Sequence, residues 1–339
     1  KTTVALALQA DGSLTGRFVA SADGFYRVEL QVPSGDYVIG SPQYTIDVLD
    51  DQAPTISFVR PGRDTQVSAI EEVFVEARAQ DDFGVRDLEL VYSVNGGPEK
   101  TVKLFEGRQR LPEVMAGHTF YLEELGVAAG DSVSYYAKAV DNGAGGGQTV
   151  QSDLYFLRVR PFDQRFRQAQ SQGGGGGGGG GGQDQVDALS EQQRQIIAAT
   201  FNADRDAKLN GAEKTKEALV VIRLQQDKLR GQVEELIGQL VQRLQGNDDF
   251  KKIADTLVKA IEPMKQAGVE LDAQRAKQAL TPEQKAYQLL QEAEQKYELQ
   301  VMRQQQQGGG GGGGGQQNAM SEDLADLFQM QLDKMANQY

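Results

Sequence analysis

The chain has 339 residues, a formal net charge of −13, one histidine, and neither cysteine nor tryptophan. The missing cysteine excludes disulfides, thiolate nucleophiles and cysteine-ligated zinc. The acidic balance argues against nucleic acid as a partner, since neutralising phosphate takes clustered basic side chains.

Residues 1–50 predict a short β series. Val4, Leu6 and Leu8 alternate, Asp11-Gly12 and Asp23-Gly24 turn the chain, Phe25–Val32 is a strong strand, and Tyr44, Ile46 and Val48 alternate again. That is too few strands to close a two-sheet sandwich. Residues 54–162 supply about seven, at the spacing of an all-β sandwich. They fall near Thr55–Val59, Val73–Ala79, Leu88–Val94, Lys100–Phe105, Thr119–Leu122, Ser132–Val140 and Asp153–Val159. Asn95-Gly96 signals a hairpin because both residues accept positive φ. Pro161 should end the last strand, since it lacks a donor and holds Arg160 extended.

Residues 163–183 read as a Gln/Gly linker, and the glycine run 173–182 spans roughly 17–19 Å as flexible coil. Residues 184–307 read as a helical bundle or coiled coil. Leu219, Ile222, Leu229, Val233, Leu236 and Leu240 recur at spacings that favour one face. Gly231 and Gly238 each cost that helix about 1 kcal/mol relative to Ala, and their spacing puts them near one face, where another helix can come close. Asn247-Asp248-Asp249 is a capping cluster ahead of Phe250, Ile253 and Leu257, and Pro263 should kink or stop the helix that follows. Thr281-Pro282-Glu283 reads as the start of the next helix. Residues 308–320 form a second Gly/Gln linker. Residues 321–339 form an amphipathic tail helix with Leu324, Leu327, Phe328, Met330, Leu332 and Met335 mostly on one side, a stripe suited to docking on a neighbour.

Site chemistry is sparse. His118 has no second histidine. The pairs Glu71-Glu72 and Glu123-Glu124 are adjacent in sequence and read as solvated. The glycine runs lack the strand, Lys and Ser/Thr of a phosphate loop. Arg158, Arg160, Arg165 and Arg167 form a basic spot, either a salt-bridged strand end or a contact for lipid phosphate or an acidic partner. Asp50, Asp51, Asp81, Asp82 and Asp141 are candidate calcium ligands, although Asp in β loops also serves as a turn former. A hydrolase would have to draw its carboxylates from Asp81, Asp82 and Asp141. No catalytic residue or cofactor is assigned, and no apolar run is long enough to cross a bilayer.

The stretch Leu125–Asp131, with Val133, Tyr135, Ala137, Ala139, Asp141 and Gly143, resembles the corner and penultimate strand of immunoglobulin-like or fibronectin-type bacterial repeats. In those a tyrosine caps the corner, and Tyr135 or Tyr136 would do so in this chain. Asp23–Val28 and Tyr44–Val48 resemble the last strands of a preceding repeat, whose first strands are expected before Lys1. Leu49–Pro54 resembles a cadherin linker, in which acidic residues bind calcium. Ser41–Asp51, Asp81-Asp82-Phe83-Gly84, Val94–Pro98 and Ser152–Gln172 together resemble an uncharacterised family of large bacterial envelope proteins, known as a domain of unknown function. That resemblance implies a mixed multi-domain chain: an immunoglobulin-like β-sandwich with a partial preceding β repeat, followed by an extended α-helical or coiled-coil region. It also implies a periplasmic or cell-surface location and a membrane anchor in a segment absent from this chain. The expected function is a non-enzymatic structural and assembly subunit of the cell envelope. The β repeats act as spacers, and the helical half binds a protein partner or self-associates. The alternative is an extracytoplasmic module binding calcium, glycan or peptide through the sandwich loops.

Overall fold

The computed structural model describes residues 2–143, 147–161, 183–243 and 248–307. Both glycine-rich linkers, Arg165, Arg167 and the tail 321–339 lie outside the described residues. The chain divides into two compact units, Lys1–Gln52 and Ala53–Tyr339.

The first unit is three small antiparallel pairings. β1 (Ala7–Leu8) meets β2 (Leu14–Thr15), β3 (Gly24–Tyr26) meets β6 (Tyr44–Ile46), and β4 (Glu29–Gln31) meets β5 (Tyr37–Ile39). Asp11 sets the first turn, its carboxylate accepting the Ser13 N–H at 2.9 Å. None of the described side chains in this unit is buried, so its stability rests on local turns and on the Tyr26–Tyr44 ring stack.

The second unit opens with one seven-stranded sheet. Its strands are β7 (Thr55–Arg60), β8 (Thr65–Ser68), β9 (Glu72–Val94), β10 (Lys100–Tyr121), β11 (Ser132–Asp141), β12 (Thr149–Gln151) and β13 (Tyr155–Arg160), with the one-turn helix α1 (Leu122–Leu125) between β10 and β11. Four of the strands expected from sequence are fused in pairs, so β9 and β10 form one long hairpin. Register shows where that hairpin bends. Lys100–Glu106 pairs with Asp87–Tyr92, Glu113–Tyr121 pairs with Glu72–Gln80, and irregularities separate the two runs. Bulges bend a strand and increase its twist. The two arms therefore take different neighbours: β7 pairs with the first arm of β9, and β11 pairs with the second. β13 continues from β11 and meets β8 in parallel.

The sheet curls around its own core. Val73, Val75, Ala77 and Ala79 alternate with Phe74, Glu76, Arg78 and Gln80, as the period of two in a strand requires, and the first set is buried. Phe58 and Phe120 flank the ring of Tyr135 at 5.1 and 5.8 Å. The Tyr135 hydroxyl is buried without a partner, and that of Tyr136 donates to Glu99, so neither makes the expected corner bond.

The helices do not run on as an extended coiled coil. α2 (Gln183–Arg205), α3 (Ala207–Arg243), α4 (Asp248–Asp272) and α5 (Ala276–Gln307) close a ring in which each packs on two others, α2–α3, α3–α4, α4–α5 and α5–α2. Short connections make sequential neighbours antiparallel. Small residues on the inner faces of α4 and α5, among them Ala260, Ala267, Ala279, Ala286 and Ala293, let those helices approach closely around Leu229, Val233, Leu257 and Leu290. Pro263 neither stops nor ends α4, and the lost hydrogen bond belongs to Lys259, which is exposed to water. The break comes instead at Ala273–Arg275, where Gln274 has φ 58°. The Arg275 carbonyl accepts the N–H groups of Gln278 and Ala279, so α5 begins before Thr281-Pro282-Glu283 and passes through it.

Candidate functional site

The outer face of β11 and β13 is apolar, which determines where the helices sit. Along β13, Leu157 and Val159 point into the curled sheet while Phe156 points out, and along β11 Tyr135 points in and Tyr136 out. Val91, Tyr136, Leu154 and Phe156 would be a wet apolar patch on a lone sheet. Ile197 and Phe201 from α2 and Tyr287 from α5 cover them. Phe156 meets Tyr287 edge-on at 5.5 Å, and Tyr136 meets Phe201 at 5.0 Å. Sheet and bundle thus share a core.

A polar seam borders that core, and α5 supplies most of it. Gln284 accepts a hydrogen bond from the Ser134 hydroxyl at 3.0 Å, Gln288 donates to Asp131 at 2.8 Å, and Gln295 donates to the Val159 carbonyl at 3.0 Å. Positions 284, 288 and 295 fall on one helix face. Glu294 and Glu298, both nearly buried, pair with Arg158 and Arg160 at 3.7 and 3.4 Å. Glu294 also accepts the backbone N–H and hydroxyl of Ser190 from α2, at 3.0 and 2.7 Å. Of the two readings of the basic spot, the salt-bridged strand end describes Arg158 and Arg160. Asp64 accepts the Phe156 N–H at 2.9 Å and pairs with Arg194 at 2.8 Å, yet burial still lifts its carboxyl above the usual range.

Two glycines let helix and sheet approach. Gly96 in the β9–β10 turn and Gly130 before β11 both have positive φ, and both face α5. Beside the Gly96 turn the seam opens into a cleft of about 480 Å³ between the sheet and the start of α5. Tyr92, Tyr136 and Phe201 give it aromatic walls, and Glu99, Lys277 and Gln284 supply its polar groups. Deeper between α2 and α5, Glu283 is fully buried. One oxygen accepts the Thr200 hydroxyl at 2.8 Å and the other has no partner, so burial holds its carboxyl well above the usual range.

The candidate calcium ligands are divided between the units. Asp50 and Asp51 close the first, while Asp81, Asp82 and Asp141 lie in the second. Asp81 accepts the Phe83 N–H at 2.8 Å, and Asp141 accepts those of Gly143 and Gln148 at 2.9 and 2.8 Å, which is turn-forming work. Burial, with the charges of Asp141 and Asp82 nearby, raises the Asp81 carboxyl. Among the described residues no three His, Cys, Asp or Glu side chains gather as a metal site. His118 stacks edge-on against Phe120, and partial burial lowers its pKa. No helix among the described residues is long and apolar enough to cross a membrane. Sequence reasoning missed the seam glutamines and Glu298, for which the heptad-like recurrence along 284–298 is the available signal, and it read Glu283 only as part of a helix start.

No known family matches this chain, and no curated protein does. Solved structures do match, among them "Structures of Clostridium thermocellum CbhA fibronectin(III)-like modules", at 15% identity and a TM-score of 0.21, covering 47% of this chain and 82% of the other. A likeness that slight decides neither fold nor function.

Proposed function

We propose that this chain is a non-enzymatic structural and assembly subunit of a bacterial cell envelope, with β units as spacers and the helical half as its protein-interaction region. In this reading the curled sheet is an immunoglobulin-like sandwich. One layer is β7 with Glu72–Gln80 and Glu113–Tyr121, and the other is Asp87–Tyr92 and Lys100–Glu106 with β11, β13 and β8. An anchor preceding this chain and a place outside the cytoplasm belong to the same proposal, tested by fractionation and protease accessibility of the full-length protein.

The observation that carries the reading is the outer face of α3. Val220, Val221 and Leu224 are more than half exposed, on the side opposite the buried Leu229, Val233 and Leu236. Contiguous exposed apolar side chains of this kind mark interaction surfaces. The test is light scattering on the chain ended after Gln307, which leaves this face bare, with and without Leu224→Glu. Self-association that rises with concentration and is lost with the charge is expected. A monomer at every concentration in both cases overturns the helical half as an assembly region.

A second reading is favoured by the cleft beside Gly96, whose size and mixed aromatic and polar lining suit a small ligand. There the protein is a binding module for a glycan or peptide. A glycan or peptide array probed with the chain and with Gln284→Ala separates the two readings.

A further inference from the structure

We infer that the exposed face of α3 is the dock for the chain's own C-terminal segment, Ser321–Ala336, which folds back onto it as a fifth helix. This rests on the reading of that face as a docking surface and names its occupant in the full chain, so assembly through α3 requires the tail to leave.

The face is built for a helix. Val220, Leu224, Gly231 and Gly238 recur at spacings of four and seven, which keeps them on one side of α3. Val220 and Leu224 are 51% and 58% exposed, so they stand in water as the structure is described. A Cβ added at Gly231 or Gly238 would meet nothing within 4 Å, so no packing inside the described fold uses these glycines. Each still costs α3 about 1 kcal/mol relative to alanine. Together the four positions make a strip low in side-chain bulk, apolar at the Val220 end and edged by Asp227, Glu234 and Glu235, and this strip is the groove of the proposal.

The tail matches it in pattern and length. Leu324, Leu327, Phe328, Leu332 and Met335 share one helical side, while Glu322, Asp323, Asp326 and Asp333 fall on the other, with Met330 among them. A helix over 321–336 is about 24 Å long, against about 27 Å from Val220 to Gly238. Acidic residues on the far side keep the docked helix wet and disfavour a second layer.

Connectivity decides between this tail and a tail from elsewhere. Antiparallel neighbours place Gln307, at the end of α5, at the same end of the ring as Arg243, at the end of α3. α5 and α3 are diagonal, with α2 and α4 between them. Adjacent helix axes stand about 8–10 Å apart, so the diagonal is about 13 Å. Residues 308–320, eight of them glycine, separate α5 from the segment. By composition, a glycine-rich stretch of that length reaches about 20 Å, enough to cross the diagonal and return along α3 toward Val220. Tethered so, the segment is present at an effective concentration of about millimolar, which a second copy reaches only at high concentration. The return path is antiparallel to α3 and sets Phe328 over the groove at Gly231.

The chain has no cysteine, so one engineered pair reports one contact. The full chain carrying Gly231→Cys and Phe328→Cys is oxidised at low concentration and compared with Val258→Cys and Phe328→Cys, Val258 being exposed on α4. Elution of the reduced proteins at the wild-type volume checks folding. Because Gly231→Cys alters the groove, the same comparison is run with Leu224→Cys and Met335→Cys. An intramolecular disulfide forming about tenfold faster on α3 than on α4 is expected from the difference in local concentration. Equal rates on both helices overturn the proposal, and so does a disulfide-linked dimer, which would mean that the tail docks on another copy. If the chain ended at Gln307 self-associates while the rates are equal, the docking-surface reading survives and only the named occupant falls.

Discussion

A Cβ on Gly96 would lie 2.8 Å from the carbonyl oxygen of Thr281, so the β9–β10 turn and helix α5 touch through a glycine. The same residue has φ 70°, following Asn95 at 51°, in the β-turn that the Gly97 N–H closes on the Val94 carbonyl at 2.8 Å. One position answers a local demand and a long-range one. Gly96→Ala should therefore cost about 2–3 kcal/mol, from backbone strain plus a displaced helix. Urea unfolding measures the loss. A cost no larger than that of Gly126→Ala in the same unit, where φ is also positive and nothing lies within 4 Å, would show that the approach of α5 adds nothing.

The pairing of Arg158 with Glu294 makes a second prediction. Both side chains are nearly buried, and the carboxylate also holds Ser190. Removing one partner leaves a buried charge, a change that costs about 3–5 kcal/mol. Arg158→Leu should fall in that range. Adding Glu294→Gln should recover part of the loss, because the neutral amide no longer needs the guanidinium and can still accept from Ser190. A double mutant less stable than Arg158→Leu alone contradicts this account.

These two contacts also show what the sequence makes legible. Alternation along β9 and β11 identifies the inner face, because Val73, Val75 and Tyr135 obey a local period. The hairpin at Asn95-Gly96 is equally local. What alternation cannot show is that the outer residues, Tyr136 and Phe156, are covered as well, since their cover comes from Phe201 and Tyr287, far along the chain. For the same reason Arg158 and Arg160 read as a basic spot with a salt bridge as one of two readings, but with no sign of which carboxylates, Glu294 and Glu298, would make it. Pro263 and Pro282 mislead in the other direction. Each weakens a helix locally, but the apolar face running through it outweighs one missing hydrogen bond. The candidate carboxylates were found as residues, yet their turn hydrogen bonds depend on loop geometry that spacing does not set.

Glu283 predicts a pH dependence. Its folded-state pKa is raised by burial and only partly offset by the Thr200 hydroxyl. The folded protein thus holds a proton that the unfolded chain releases near the ordinary value of 4.5. The associated stability is fully present below that value and is lost as pH rises toward the folded pKa, by about 1.4 kcal/mol per unit of displacement. Glu283→Gln should flatten this fall and leave the chain more stable than wild type at neutral pH. Unfolding curves from pH 4 to 8 for both proteins give the comparison. Asp64 and Asp81, also raised by burial, contribute alike to both and cancel in the difference. Parallel curves would mean that Glu283 is ionised in the fold.

The glycines of α3 allow the docked tail to be read as a stability difference. In the chain ended at Gln307 nothing meets a Cβ at Gly231 or Gly238, so Gly231→Ala and Gly238→Ala should each stabilise by about 0.5–1 kcal/mol through helix propensity alone. In the full chain the same methyl groups enter the groove where Phe328 is proposed to sit, and the gain should shrink or reverse. Four unfolding curves, with and without the double substitution in each chain, close the cycle. A non-zero coupling between the glycines and the tail is the expected outcome. Equal gains in both chains would place the tail elsewhere and leave the two glycines as an uncompensated weakness of α3.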